Sequence, residues 1–260
     1  MRSNLNAAEF ENRLRDFIKS TSYPFSMCKA YRIFATIVLL IFSLEAVCQK
    51  DSRFVSYVTE PSHIEFHWKD DKGQIFGGIQ NLKLFLEGKG RQLEFAMNGG
   101  MFKPDRSPQG LLVENNVKLN SLDTLTGSGN FYMMPNGVFY ITEDNIAVVC
   151  KTIDFNDSTQ VKFATQSGPM LLIDGAMHPA FKKGSTNLNI RNGVGILPGN
   201  KVVFVISREP VNFYDFAEYF EGMKCKNALY LDGFVSRAYI PGENWTQLDG
   251  NLGVIISVSK

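Results

Sequence analysis

Two apolar runs in this 260-residue chain stop at a polar residue followed by glycine: "AMNGG" (Ala96–Gly100) and "LYLDG" (Leu229–Gly233). Asn98 and Asp232 stand at their tips. Beside other glycines lie Gly168 and Pro169, in "SGPMLLI", and Arg191, in "RNGVGIL". Ser236 and Arg237 follow the aspartate. Glycine carries no Cβ and allows close backbone approach, so Gly99, Gly100 and Gly168 are candidates for backbone contact with a ligand. Arginine presents a fork of donors that matches phosphate oxygens. An amide and a carboxylate suit sugar hydroxyls. Taken together these types fit a sugar carried on a phosphate; taken singly each is an ordinary turn or a solvated charge.

Other chemistries are missing. There is no phosphate-cradling glycine loop, no nucleophile elbow and no paired CxxC, which argues against P-loop, serine-esterase and zinc-ribbon proteins. His63 and His67 form "HIEFH", without the glutamate directly after the first histidine that zinc proteases need. On a strand they would lie roughly 13 Å apart, at about 3.3 Å per residue, too far to share a metal. No metal site or cofactor is expected from these residues, and assistance by a divalent ion stays open.

The elements that must position these residues are short strands, hairpins and two helices. Phe54–Val58 and Ile64–Trp68 alternate as strands do. Ile79, Leu82, Phe85 and Leu86 recur at helical spacing, stopped at Gly88. Gln92–Met97 then runs as a strand into Asn98. Phe213, Phe216, Ala217 and Phe220 mark a second helix, opened near Asn212 and closed at Gly222, and Lys226–Leu231 runs as a strand into Asp232. Between them, hairpins turn at Glu114–Asn116, Glu143–Asn145 and Pro198–Asn200. The expected class is α+β: a mainly antiparallel or mixed twisted β-sheet with a few packed helices, in a single domain.

With 44% hydrophobic and 20% charged residues the chain can bury a sizeable core, and a net charge of +1 leaves no nucleic-acid footprint. Ile33–Val47 is an apolar stretch behind Lys29 and Arg32, shorter than the about 20 residues of a membrane span. It reads as a signal peptide. Residues 1–48 are therefore assigned to an N-terminal extension plus signal peptide, with Met27 as an alternative start, and 49–260 to the functional domain. The expected location is periplasmic or extracellular, with no stable span after cleavage. Lipidation at Cys48 is disfavoured because Val47 is larger than the small residue a lipobox carries there. The mature part keeps Cys150 and Cys225, for which a disulfide and two separate buried thiols both remain open. Oligomeric state has no sequence signal.

Five stretches in order, "FAMNGGMF" (Phe95–Phe102), "TQSGPMLLIDG" (Thr165–Gly175), "RNGVGIL" (Arg191–Leu197), "KVVFVIS" (Lys201–Ser207) and "ALYLDGFVSRAYIPG" (Ala228–Gly242), resemble the phosphodiester glycosidase family. The resemblance covers most of the chain from about Gln74 onward and is to the bacterial, secreted branch, often associated with exopolysaccharide. Phe234 and Val235 stand where some members carry a further glycine run. The resemblance implies a secreted hydrolase that cleaves the sugar–phosphate bond of a sugar-1-phosphodiester in an envelope or extracellular glycan. It marks Asn98, Arg191 and Asp232 as catalytic, and Gly99, Gly100, Gly168, Pro169 and Ser236 as substrate-binding. On this view Arg191 holds the phosphate, Asn98 a sugar hydroxyl or acetamido group, and Asp232 acts as base or nucleophile. Asp105, Asp174 and Glu209 are candidates for a second carboxylate, without which retention and inversion are not distinguished. The competing reading is a non-catalytic glycan-binding envelope protein that uses the same pocket with aromatics such as Phe102, Tyr239 and Trp245.

Overall fold

The computed structural model describes residues 15–16, 51–156, 160–232 and 235–260. The chain divides into two units, residues 1–50 and 51–260. Of the first, Arg15 and Asp16 are helical and exposed; the expected signal peptide lies outside the described residues. No helix among the described residues is long and apolar enough to cross a membrane.

From residue 51 the chain runs β1 (Phe54–Thr59), β2 (Ile64–His67), α1 (Ile79–Gly88), β3 (Leu93–Asn98), β4 (Leu112–Glu114) and β5 (Val117–Asn120). Next come β6 (Gly137–Thr142), β7 (Ala147–Lys151), β8 (Val161–Ser167), β9 (Met170–Ile173), β10 (Ala176–Met177), β11 (Asn192–Ile196) and β12 (Val202–Ser207). The last elements are α2 (Phe213–Gly222), β13 (Ala228–Asp232), β14 (Ala238–Ile240), β15 (Trp245–Thr246) and β16 (Ile255–Ser259). The strands of the described residues sort into three sheets, ordered β1-β12-β11-β13-β9-β10, β15-β14-β3-β16-β2 and β5-β4-β8-β6-β7. The pairings are antiparallel, as the hairpin-rich sequence implies, but three sheets take the place of one.

Strand alternation explains how they assemble. One face of every sheet meets in a shared core: Val194, Phe204 and Leu229 from the first, Phe66, Phe95 and Ile256 from the second, Leu112, Phe139 and Phe163 from the third. Phe95 stacks on Phe204 at 4.8 Å and on Tyr57 at 4.5 Å, and Phe66 stacks on Phe163 at 5.3 Å. Each such side chain stabilises the fold by roughly 1.5–3 kcal/mol through area removed from water. The residues between them face outward. Phe54, Val205 and Tyr230 of the first sheet lie under α2 with Phe216 and Phe220. Ala96 and Ile255 of the second lie under α1 with Ile79, Leu82 and Leu86.

The helix ends are set locally. Asn212 caps α2, its side chain accepting a hydrogen bond from Asp215 N at 2.8 Å. Gly88 and Gly222 are the last helical residues rather than the stops themselves; the left-handed backbone falls two positions later, at Gly90 and Lys224. Asparagines take left-handed conformations at the hairpin tips: Asn115, Asn116, Asn145 and Asn200.

Candidate functional site

Where β3, β11 and β13 end or begin, three polar residues meet. Asn98 is fully buried at the end of β3. Its Oδ1 accepts hydrogen bonds from Asn192 Nδ2 at 2.8 Å and from Arg237 N at 3.0 Å. Asn192, the first residue of β11, is also fully buried and faces Asp232 across the β11–β13 pair. Its Oδ1 accepts from Asp232 N at 2.9 Å. Ser236 Oγ donates back to the Asp232 carbonyl and lies 3.4 Å from Asn192 Oδ1. The two quoted strand ends are thus one amide apart in space, although Asn98 and Asn192 are 94 residues apart in sequence.

Arg191 precedes Asn192, so its side chain leaves the sheet on the opposite, α2 face. It is fully buried rather than open at a strand mouth. One edge of the guanidinium is engaged by backbone: Nε donates to Val211 O at 2.8 Å and Nη2 to Asn187 O at 2.9 Å. Its Cζ lies 3.6 Å from the Phe213 ring centre, and Phe213 stacks in turn on Phe181 at 4.9 Å. Among the described residues Nη1 meets no hydrogen-bond partner, nor does Asn98 Nδ2 on the other face. Tyr230 shares the Arg191 face, two residues before Asp232, with its ring centre 5.5 Å from Arg191 Cζ. Burial pushes its phenol up, against the pull of Arg191 and with a smaller push from Asp232, so it stays protonated. Burial also lowers the Arg191 pKa, opposed by Tyr230, yet a guanidinium remains charged in proteins.

The glycines beside the site make room for the chain itself. A Cβ at Gly99 would lie 2.8 Å from Ile256 Cγ1, and one at Gly100 2.7 Å from Thr165 Oγ1. At Gly168 it would lie 2.7 Å from both Asn136 Cβ and Phe131 O. The cis Gly168–Pro169 peptide carries the chain from β8 in the third sheet to β9 in the first. There Ser167 Oγ donates to Leu231 O at 2.7 Å and Tyr230 N to Pro169 O at 3.1 Å. Gly168 and Pro169 therefore brace β13 from behind.

Asp105, Asp174 and Glu209 are exposed turn or bend residues. Asp105 accepts from Ser107 in its own turn, and Asp174 sits 3.9 Å from Lys226. No described hydrogen bond joins any of them to the network. His67 Nε2 meets Ser257 Oγ at 2.9 Å, and His178 Nε2 meets Met134 O at 3.0 Å. Among the described residues no group of three or more His, Cys, Asp or Glu is placed to hold a metal. Cys150 and Cys225 are free thiols, pushed up by burial to about 11 and about 12.

Asn192 and Tyr230 belong to the site yet do not stand out in the sequence. Asn192 sits inside "RNGVGIL" beside the more conspicuous arginine; an amide opening an apolar strand is the signal that points to it. Tyr230 could be found from period-two alternation with Asp232.

Residues 91–252 match the family model described as phosphodiester glycosidase. The chain is 35% identical over 190 residues to the uncharacterized protein YigE of Escherichia coli (strain K12), covering 72% of this chain and 74% of that protein. Among solved structures it resembles the zebrafish N-acetylglucosamine-1-phosphodiester alpha-N-acetylglucosaminidase catalytic domain, auto-inhibited by pro-peptide. That match has a TM-score of 0.54 and 12% identity, over 81% of this chain and 84% of that one. A putative exported protein from Burkholderia pseudomallei K96243 matches with a TM-score of 0.50 and 9% identity, over 79% and 73%. At these identities the two structures share the fold.

Proposed function

The chain belongs to the phosphodiester glycosidase family, a family of hydrolases, and from that membership we propose that it cleaves the sugar–phosphate bond of a sugar-1-phosphodiester in an envelope or extracellular glycan. Export rests on the apolar stretch Ile33–Val47 behind Lys29 and Arg32.

The observation that carries the reading is the meeting of Asn98, Asn192 and Asp232 at adjoining strand ends, beside two buried donors, Arg191 Nη1 and Asn98 Nδ2, that find no acceptor among the described residues. A buried donor left unpaired costs about 1–3 kcal/mol. Phosphate oxygens and sugar hydroxyls are the acceptors such donors suit. In the proposed reaction a water oxygen bonds to the anomeric carbon, the bond from that carbon to the phosphate oxygen breaks, and a phosphate monoester leaves. A phosphate monoester is a good leaving group, so general-acid assistance matters less than in ordinary glycosidases. Arg191 Nη1 stabilises charge on the departing phosphate, and Asn98 Nδ2 donates to the sugar. Asp232 either takes the water proton or attacks the anomeric carbon first. The anomer released separates these two routes.

The test is Asp232→Asn with the purified full chain on a panel of sugar-1-phosphodiesters. Loss of sugar release with the melting temperature held near that of the wild type supports the assignment. A variant that releases sugar at the wild-type rate removes Asp232 from the chemistry.

A further inference from the structure

The β11–β13 ladder is irregular at one place. Asn192 pairs with Asp232, but the next residue, Gly193, pairs with Tyr230, so Leu231 is skipped. A bulge of this kind takes a backbone group out of the ladder and re-aims its neighbours. The Asp232 N–H is received by the Asn192 side chain, at 2.9 Å. The same amide reaches from the first sheet to the second, its Nδ2 donating to Asn98 Oδ1 at 2.8 Å and approaching Asn98 O at 3.2 Å. Ser236 Oγ adds a long contact to its Oδ1. A primary amide offers two donor hydrogens and two acceptor lone pairs; here the nitrogen faces the Asn98 oxygens and one lone pair takes the Asp232 N–H, while the single Ser236 hydroxyl hydrogen goes to the Asp232 carbonyl.

We infer that Asn192 is a positioning residue, a buried clamp that fixes the Asp232 backbone and the Asn98 amide relative to one another; the catalytic half of this rests on the reading of Asp232 given above. The partners dictate the residue type. The oxygen must face the Asp232 N–H and the nitrogen must face the Asn98 oxygens. This also sets the orientation of Asn98: with its Oδ1 held by Asn192 Nδ2 and Arg237 N, its Nδ2 is the donor left over. Aspartate at 192 keeps the acceptor for Asp232 N but turns an oxygen toward the Asn98 oxygens. Alanine removes both halves of the clamp.

The experiment compares wild type, Asn192→Asp and Asn192→Ala as full chains. Two readouts are taken: amide hydrogen exchange at Asp232 by NMR, and kcat and KM on a sugar-1-phosphodiester that the wild type hydrolyses. In Asn192→Ala, Asp232 exchange is expected to quicken by about tenfold or more, as loss of one buried hydrogen bond implies. Its kcat should fall by about 100-fold, the cost of a misplaced reacting group, with KM within about threefold of wild type. In Asn192→Asp, Asp232 exchange should stay within about threefold of wild type because that acceptor survives. The acid limb of its pH–rate profile should move up by about one pH unit, because a second carboxylate beside Asp232 disfavours its charged form. A merely structural asparagine would lower the melting temperature on substitution and leave kcat of the folded enzyme within threefold of wild type. Unchanged Asp232 exchange in Asn192→Ala, or kcat within threefold of wild type, overturns the clamp. If alanine prevents folding, the aspartate variant decides through its exchange and its pH profile. If the wild type hydrolyses no sugar-1-phosphodiester, the proposed function falls, while exchange at Asp232 still decides whether Asn192 holds that N–H.

Discussion

Replacing Asn98 by alanine probes the centre of the site through stability alone. The wild-type side chain contributes two accepted hydrogen bonds, from Asn192 Nδ2 and Arg237 N, and one buried donor that has no partner among the described residues. Removing the acceptor strands two donors, each at about 1–3 kcal/mol. The penalty is softened on both sides. Asn192 Nδ2 retains the Asn98 backbone oxygen at 3.2 Å, and Arg237 N is only part-buried. Removal of the unpaired Nδ2 returns a term of the same size as one of the losses. The net expectation is a destabilisation of about 2 kcal/mol, which for a folded unit of this size lowers the melting temperature by roughly 4–8 °C. Urea unfolding followed by circular dichroism measures it: the midpoint should shift while the slope stays constant. A change below about 0.5 kcal/mol, the level of an unremarkable surface substitution, would refute the placement of Asn98 Oδ1 as the acceptor of both bonds.

Two further outcomes follow from other parts of the fold. Glu65 is held down to about 2 first by the His67 ring, whose Nε2 lies 3.5 Å from its Oε2, and then by Arg91, whose Nη2 lies 2.7 Å from its Oε1. A carboxyl depressed in the folded state contributes stability that is present above its ordinary value of 4.5 and is lost as pH falls from there through about 2. With a third of the side chain exposed, the solvent-screened contribution is about 1 kcal/mol; Glu65→Gln should flatten the melting temperature across that window, and an unaltered profile would count against the pair. Gly168→Ala drives a Cβ to 2.7 Å from the Phe131 backbone oxygen, which no rotamer change relieves. It should cost about 3 kcal/mol, and a melting temperature within 2 °C of wild type would show that the β8–β9 passage is looser than described.

Much of the secondary structure can be read locally. The apolar spacing of Phe213, Phe216, Ala217 and Phe220 and the cap at Asn212 lie within one helix length, and the structure builds α2 from them. The turn asparagines at 115, 116, 145 and 200 need only their own backbone angles to act. Such signals depend on neighbours a few positions away, and they are complete in the chain as written. The expected polar strand ends at Asn98 and Asp232 are of this kind.

Sheet membership is not local. A strand such as β3 carries the alternation that buries one face, and nothing in it states that β16 and β14 are its partners rather than β13. The glycines show the same division: sequence marks where a Cβ is absent, but only packing shows that Ile256, Thr165 and Phe131 fill the space. Arg191 is the clearest case at the site. Its charge suggests a solvent-facing fork, whereas the tertiary structure turns one edge to Val211 O and Asn187 O, lays the guanidinium on Phe213 and leaves Nη1.

By itself, then, the sequence determined the element types, the turn residues, the antiparallel α+β class and the five stretches that carry the family resemblance, because each is written in short-range spacing. The tertiary structure alone decided that three sheets share one core and that Asn192 joins Asn98 to Asp232. It decided too which donor of Arg191 is left over. Hydrogen bonds made across 94 residues have no periodicity to betray them, and they exist only once side chains from different sheets have been brought out of water into contact.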